Sequence, residues 1–373
     1  MRVAILRREP QFSFSMDVYA DGIIKGLKKV RPDWEIIELQ PKFDRTSGSL
    51  VRGFKKYYQR YWSYPQALRQ CKADLFHVID HSDGHLVYWL ERYRKANVVT
   101  CHDLINLVRP DTFRGKARFS SVSMSTWKWA INGMKVADRV IAVSSHTAKD
   151  LTTHLKIERS QITVIPNAVD SSFRQFDPQE ILDWLKLHNY PTNKFYLLNV
   201  GSNNARKNVD TVLKVLLQLN QEGLPVNLWK AGSDFNAEQK AFIKVHGLEK
   251  AIAYWGEPDD RTLIELYNAA DLLLAPSLYE GFGMTILEAM ACGTPVITSN
   301  TSSLPEVAGD AAVLTDPLDV SAICNHIHNM YSNQQFRQSL IEKGLERVKD
   351  FTWERTAMQI AELYEQTLLE KQK

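Results

Sequence analysis

The feature that most constrains this chain is a repeated alternation of short, near-continuously apolar runs with longer amphipathic stretches. In the first half the runs are Val3–Leu6, Ile36–Leu39, Leu75–Ile79, Val98–Cys101, Val140–Val143 and Thr163–Ile165. In the second half they are Tyr196–Val200, Val226–Trp229, Ile252–Trp255, Leu272–Ala275, Val296–Thr298 and Ala312–Leu314. Runs this short and this apolar read as strands buried on both faces of a parallel sheet. Helical periodicity lies between them. Over Val209–Asn220, for instance, Val212, Val215, Leu216 and Leu219 share one face, and Thr262–Ala270 is a second case. Strand and helix in strict alternation imply an α/β architecture with right-handed crossovers. Twelve runs split six and six predict two doubly wound sheets, with ligands outside the carboxyl ends of the strands.

The 373 residues suit two domains. Pro166-Asn167-Ala168-Val169-Asp170 breaks regular structure after a strand, a short helix is expected over Pro178–Leu187, and the next strand begins near Phe195. From Trp353 to Gln366 the pattern is a long helix with no strand after it. The expected division is 1–168, 169–352 and a terminal helix within 353–373. Charge divides too: residues 1–150 hold 26 Lys/Arg against 15 Asp/Glu, the remainder 20 against 28. A basic first half suits an anionic acceptor or a membrane surface, and equally a merely solvated face. Cys71, Cys101, Cys292 and Cys324 form no zinc or redox spacing, and Cys101 and Cys292 read as small core residues. No apolar run is long enough for a transmembrane helix, and the opening reads as a strand, too short for a signal-peptide core. A cytoplasmic setting is expected, peripheral at the inner face of a membrane if the basic half meets lipid.

The segment richest in chemistry runs Ala275-Pro-Ser-Leu-Tyr-Glu-Gly-Phe-Gly-Met-Thr-Ile-Leu-Glu-Ala-Met-Ala-Cys-Gly-Thr-Pro-Val-Ile. It reads as strand end, glycine loop, helix and next strand. Gly281 and Gly283 permit positive φ and close approach of a ligand. A helix starting near Met284 or Thr285 turns its free N–H groups toward the loop and makes an anion site. Glu280 sits in the loop and Glu288 lies about one turn into the helix.

As a whole this string resembles the signature of the retaining glycosyltransferases of family 4, which have the GT-B fold: two Rossmann-like domains facing across a cleft. The resemblance implies that Glu280 approaches the donor sugar and Glu288 binds the ribose hydroxyls. The N–H groups of Gly281, Phe282, Gly283, Met284 and Thr285 would hold sugar hydroxyls and phosphate. Val200-Gly201-Ser202-Asn203-Asn204-Ala205-Arg206-Lys207-Asn208 is similar to the family's diphosphate-binding loop. It makes Lys207 the first and Arg206 the second cation on a leaving group that gains negative charge. Many members carry Arg directly after this glycine, where Ser202 stands here. Val99-Thr100-Cys101-His102-Asp103 matches a position whose His meets the donor sugar, with Asp103 orienting its loop. The family's Gly-Gly loop after the first strand is replaced by Phe12-Ser13-Phe14-Ser15-Met16-Asp17, where Ser15 still offers an N–H and a hydroxyl. Gly256-Glu257-Pro258 stands where the base docks, and Ser303-Leu304-Pro305-Glu306-Val307 reads as scaffold. The tail is expected to cross back onto the first domain, with a hinge within Pro166–Lys194 and closure on donor binding.

The activity implied is hexose transfer, with retention, from a UDP-sugar or GDP-mannose to an acceptor hydroxyl on a glycan, glycolipid or other cell-envelope precursor. Glu280, His102 and Lys207 are its expected catalytic residues. No Asp-x-Asp pair occurs, so metal-independent transfer is expected, without a cofactor beyond the nucleotide sugar. No Walker loop or Gly-x-Gly-x-x-Gly is present, and no nucleic-acid partner is expected. A catalytically inactive relative that binds a glycan or a partner is the alternative: Ser15 and Ser202 favour it, Glu280, Glu288 and Lys207 oppose it. Arg45–Lys72 holds seven cations, no Asp or Glu, and six aromatics. Read as a helix, it puts Phe54, Tyr58, Tyr61 and Trp62 on one face and Lys55, Lys56 and Arg60 elsewhere, a pattern compatible with an anionic membrane interface, an acceptor site or ordinary packing.

Overall fold

A computed structural model describes residues 1–8, 14–41, 58–109 and 121–372, the side chains of 14 and 121–123 excepted. The chain forms two compact units, one of Met1–Ala168 with Trp353–Lys373 and one of Val169–Thr352. The first unit holds β1 (Arg2–Leu6), β2 (Glu35–Leu39), β3 (Leu75–Val78), β4 (Ala96–Cys101), β5 (Arg139–Ala142) and β6 (Ile162–Val164). They pair in parallel in the order β2-β1-β3-β4-β5-β6. The second holds β7 (Phe195–Gly201), β8 (Val226–Gly232), β9 (Ile252–Tyr254), β10 (Leu272–Ala275), β11 (Val296–Ser299) and β12 (Val313–Thr315), also parallel, in the order β12-β11-β10-β7-β8-β9. All twelve apolar runs are strands. The largest discrepancy is β8, which continues past Trp229 through Lys230 to Gly232.

Both sheets are buried on both faces, as near-continuous apolar strands require. Ala4 and Leu6 of β1 enter one core cluster and Val3 and Ile5 the cluster on the opposite face. In β8, Leu228 packs with the helix Val209–Gln221, whereas Trp229 and Ala231 face a second cluster built on Tyr196, Tyr267 and Leu273. The short helix is Pro178–Leu187, started by a capping box in which Asp177 accepts from Gln179 N–H and Glu180 answers to the Asp177 N–H.

The terminal helix is Trp353–Lys371, five residues longer than the periodicity to Gln366 indicates. It docks on the first helix, Phe14–Val30, where Gly22 and Gly26 leave room: a Cβ at Gly26 would stand 2.7 Å from Ala357 Cβ, and one at Gly22 would enter the Trp353 ring. A buried polar chain ties it further. Tyr364 Oη hydrogen-bonds His77 Nδ1 (2.6 Å), His77 Nε2 meets Thr100 Oγ1 (2.7 Å), and Thr100 meets Tyr19 Oη (3.0 Å). Burial pushes His77 down to about 3, so the imidazole in this chain is neutral.

Candidate functional site

Strand order places the site of the second unit. The sequential direction of the sheet reverses between β7 and β10, and such a switch point leaves room beyond the carboxyl ends of the two strands. The loop after β7 carries Arg206 and Lys207 on a 3-10 turn, Ala205–Lys207; the loop after β10 carries Glu280. Asn208 joins them. It adopts a left-handed conformation (φ 55°), and its Nδ2 donates to the carbonyls of Pro276 (3.0 Å) and Pro317 (2.8 Å). Leu278 N–H donates to Arg206 O at 2.7 Å.

Glu280 is buried between two cations. Lys207 Nζ lies 2.7 Å from Oε1 and Arg206 Nη1 2.5 Å from Oε2. Burial by itself would raise this carboxyl, but Lys207 and Arg206 overcome it and hold the group at about 2. It is therefore a fixed anion, too weak a base to collect a proton near neutrality. Its backbone is fixed as well: Glu280 N–H donates to Ser302 Oγ (3.0 Å), and Ser303 Oγ–H is placed to donate to Glu280 O (2.9 Å) or Phe282 O (2.7 Å). The turn closes at Gly283, φ 119°, where a Cβ would press to 3.0 Å from Leu304 Cδ2.

The helix Met284–Ala291 begins there, so the first-turn amides of Met284 and Thr285 have no intrahelical acceptor and face the same loop as Gly281 and Phe282. Glu288, one turn in, accepts a 2.7 Å hydrogen bond from Tyr267 Oη; burial raises its carboxyl above the ordinary value against that bond. The loop Gly256-Glu257-Pro258 adjoins the end of β8: Gly232 N–H donates to Gly256 O at 2.5 Å. The second unit thus gathers Arg206, Lys207, Glu280, Glu288 and the glycine turn around neighbouring strand ends. Ser202 is exposed.

In the first unit the order reverses between β1 and β3. His102 follows β4, beside β3. Its Nε2 is 2.8 Å from Ile79 O, and since a carbonyl only accepts, Nε2 carries the proton and Nδ1 is the acceptor. Burial lowers its pKa, with Asp80 partly opposing, and the ring packs edge-on against Tyr19 at 4.6 Å. Asp103 Oδ1 accepts from Ile105 N–H (3.1 Å), the loop-orienting part expected of it. Ser15 stands exposed in the first turn of the first helix, while Phe12 and Ser13 lie outside the described residues.

The segment Arg45–Lys72 needs a correction. Residues 45–57, including Phe54, Lys55 and Lys56, lie outside the described residues. Beyond them Gln59–Ser63 is a π-helical turn leading into the helix Tyr64–Gln70. Arg60 is not a surface cation available to lipid. Its Nε donates to Asp83 Oδ1 (2.8 Å) and its Nη2 to Ser82 O (2.8 Å), because a guanidinium carried below the surface needs a carboxylate. Tyr61 packs against His85 and Trp129; Tyr58 and Trp62 remain 53% and 49% exposed.

Sequence reading missed several residues that shape the second unit's site. Tyr267, Ser302 and Ser303 are ordinary in sequence, and only the fold brings them to Glu288 and Glu280. Lys230 follows the apolar run Val226–Trp229 as a lone charge, and hydropathy ends the strand there, whereas β8 continues to Gly232. Among the described residues no group of three or more His, Cys, Asp or Glu is arranged to hold a metal ion, and no helix is long and apolar enough to cross a membrane.

Comparison with known proteins covers both units. The family model described as "Glycosyltransferase Family 4" matches residues 23–173, and that described as "Glycosyl transferases group 1" matches residues 182–347. The O-antigen chain mannosyltransferase B of Escherichia coli is 29% identical over 328 residues, 86% of this chain and 81% of that protein. Among solved structures, a sucrose-phosphate synthase from Thermosynechococcus elongatus superposes with a TM-score of 0.78 at 21% identity, covering 99% of this chain and 100% of that one. Anabaena HepE in complex with UDP gives 0.76 at 18%, over 98% and 100%. At these identities the superpositions establish the fold: two Rossmann-like units of the GT-B kind.

Proposed function

The chain belongs to the glycosyltransferases of family 4, and from that premise we propose that it transfers a hexose, with retention, from a nucleotide diphosphate sugar to a hydroxyl of a cell-envelope glycan. The observation that carries this reading is the buried Glu280 carboxylate held between Lys207 and Arg206 beside the start of the helix Met284–Ala291. That arrangement suits a ligand with both hydroxyls and an anionic leaving group. Glu280, permanently ionised, accepts from sugar hydroxyls and does not act as a base. Lys207 uses one of its three N–H bonds on Glu280 and turns the others to the diphosphate, with the Arg206 guanidinium beside it on the same carboxylate. Charge grows on the diphosphate as the glycosidic bond lengthens, and fixed cations with helix-end amides stabilise it without reorganisation.

The acceptor attacks from the face the diphosphate leaves, and the departing phosphate oxygen takes the acceptor's proton. Glu288 takes the ribose hydroxyls; the Gly256–Pro258 loop receives the base. His102, neutral and anchored through Nε2, is assigned to a donor-sugar hydroxyl, and Ser15 to the donor as well. The relative named for mannose transfer makes GDP-mannose the first donor to try, and the UDP complex of HepE makes UDP-sugars the second. A lipid-linked or glycan acceptor, action at the inner face of a membrane through the basic segment Arg45–Lys72 with Arg60 excepted, and metal independence belong to the same reading.

The deciding experiment is turnover of GDP-mannose and UDP-hexoses with polysaccharide-precursor acceptors, with NMR of the product anomer. Retention and activity in excess EDTA are expected. An inverted anomer, or loss in EDTA with rescue by Mg²⁺ or Mn²⁺, overturns the mechanism. Thermal shift with UDP, GDP, ADP and dTDP should single out one nucleotide, since a ligand at 100 times its dissociation constant adds about 2.7 kcal/mol.

A further inference from the structure

Lys230 lies near the carboxyl end of β8, between β7 and the edge strand β9 of the second sheet, with no role in the reading above. It is fully buried. Its Nζ donates to Gly201 O (2.7 Å) and Ala231 O (2.8 Å). Among the described residues no carboxylate forms an ion pair with it. Two carbonyl dipoles are weak compensation for an ammonium taken out of water, and apolar replacement would be the cheaper solution in a sheet interior. A charge kept in such a place has a use.

Geometry says where. Gly201 and Gly232 are register partners at the ends of β7 and β8, with φ of 130° and 99°, and a Cβ on Gly232 would come within 2.3 Å of Gly201 O. Lys230 closes this contact from inside, holding the Gly201 carbonyl. Lys207 covers the same glycine from outside: a Cβ on Gly201 would stand 3.2 Å from Lys207 Cε and 3.5 Å from its Nζ. Two ammonium groups thus meet at one glycine, and among the described residues only Lys207 of the two has a carboxylate partner, Glu280.

We propose that Lys230 is a buried positioning residue of the donor site, which ties the loop bearing Lys207 to the end of β8 and supplies a positive charge that the donor's diphosphate balances. The proposal rests on the assignment of the β7 loop to the diphosphate. The charged groups acting on Lys230 are Lys207, from the turn after β7, and Asp234, from the loop after β8 and itself paired to Lys240. In register beside it stand Tyr254 of β9 and the uncharged Asn199 of β7; Asp210, at the start of the helix Val209–Gln221, is held by Gln239 Nε2. Burial first, and Lys207 second, bring Lys230 down to about 8. A bound diphosphate opposes both effects and raises it again. Nucleotide affinity is therefore highest below that value, falls as pH rises through it, and levels off above the pKa of the complex.

The test is calorimetric titration of the full chain with UDP, GDP, ADP and dTDP between about pH 6.5 and pH 9.5. For the nucleotide that binds, wild type should lose on the order of 10-fold in affinity across the alkaline limb and take up protons near pH 8, read from buffers of different ionisation enthalpy. Lys230→Met should bind on the order of 10-fold more weakly at neutral pH, lose the limb and the uptake, and raise the donor KM more than it lowers kcat. Lys230→Arg should keep part of the affinity and shift the limb beyond the range. Tight binding by wild type with no alkaline limb and no proton uptake overturns the proposal and leaves the donor site standing. So does a folded Lys230→Met with wild-type affinity and pH profile. If none of the four nucleotides binds wild type, the donor reading falls and the proposal with it. The wild-type proton uptake decides the matter even where Lys230→Met does not fold.

Discussion

The two units put cation–carboxylate pairs at the same topological point and surround them differently. Between β1 and β3, Arg8 pairs with Asp80 (2.7 Å) and Arg60 with Asp83 (2.8 Å), while Asp80 also caps its turn by accepting from Ser82 N–H. Among the described residues two arginines face two aspartates, Arg8 also lying 3.7 Å from Asp83, and the bonds join separate segments of backbone. Between β7 and β10, two cations converge on one carboxylate, a third cation lies buried beneath them, and a glycine turn with open helix-end amides stands alongside. A balanced network braces loops. An unbalanced one leaves positive charge gathered at one point, the feature on which the proposed diphosphate site rests.

The largest effect that would break this comparison is on turnover. Lys207→Ala should lower kcat by about 10²–10³-fold with the fold retained by circular dichroism, as expected for loss of a fixed electrostatic stabiliser. Glu280→Gln should lower turnover as strongly while nucleotide affinity holds or rises, because Lys207 and Arg206 are released from their internal anion. A variant of Lys207 that turns over at the wild-type rate ends the diphosphate assignment.

Next comes the bracing network. Asp80→Asn should cost about 2 kcal/mol in chemical denaturation, since it removes the carboxylate nearest the Arg8 guanidinium and leaves Asp83 at 3.7 Å. Turnover per folded molecule should change little. The reverse outcome, full stability with collapsed turnover, would make the first unit's pair part of the chemistry.

Acid sharpens the contrast further. Asp80 is held below the ordinary carboxylate range by Arg8 and His81 despite its burial, and Glu280 at about 2 by Lys207 and Arg206. Both folded values lie below unfolded ones of about 4, so the stability they contribute is present above pH 4 and lost as pH falls toward the folded values. Asp80→Asn should remove part of that acid dependence from urea denaturation curves measured between about pH 5 and pH 3.

The smallest effect is at Glu288. Tyr267→Phe deletes one hydrogen bond, worth about 1 kcal/mol, and should raise the donor KM by about 5-fold with kcat nearly constant. A fall in kcat without a change in KM would move Glu288 from the ribose to the reaction itself.

Much of this was legible because burial on both faces writes itself into composition. The eight inner strands of the two parallel sheets have no polar side to show, and the edge strands β2, β6, β9 and β12 still keep short apolar runs, so all twelve are visible with their helices between them. Glycine at positive φ is equally local, and Gly283 marked the turn before the helix start. Lys230 was not legible, because hydropathy treats a charge as an end, and β8 runs on through it to Gly232. Arg60 was illegible for the opposite reason: no carboxylate is near it in sequence, yet it finds Asp83, 23 residues away.

The amino-acid sequence by itself determined the alternation, the glycine turn and the family, since each depends on residues near one another or on a string long enough to be specific. Only the tertiary structure decided which charges meet. Arg206 and Lys207 are 74 and 73 residues from Glu280, Tyr267 is 21 from Glu288, and Lys230 is 29 from the carbonyl it holds. Strand order sets those encounters, and strand order follows from packing two layers of helices on a twisted sheet, which no local window records.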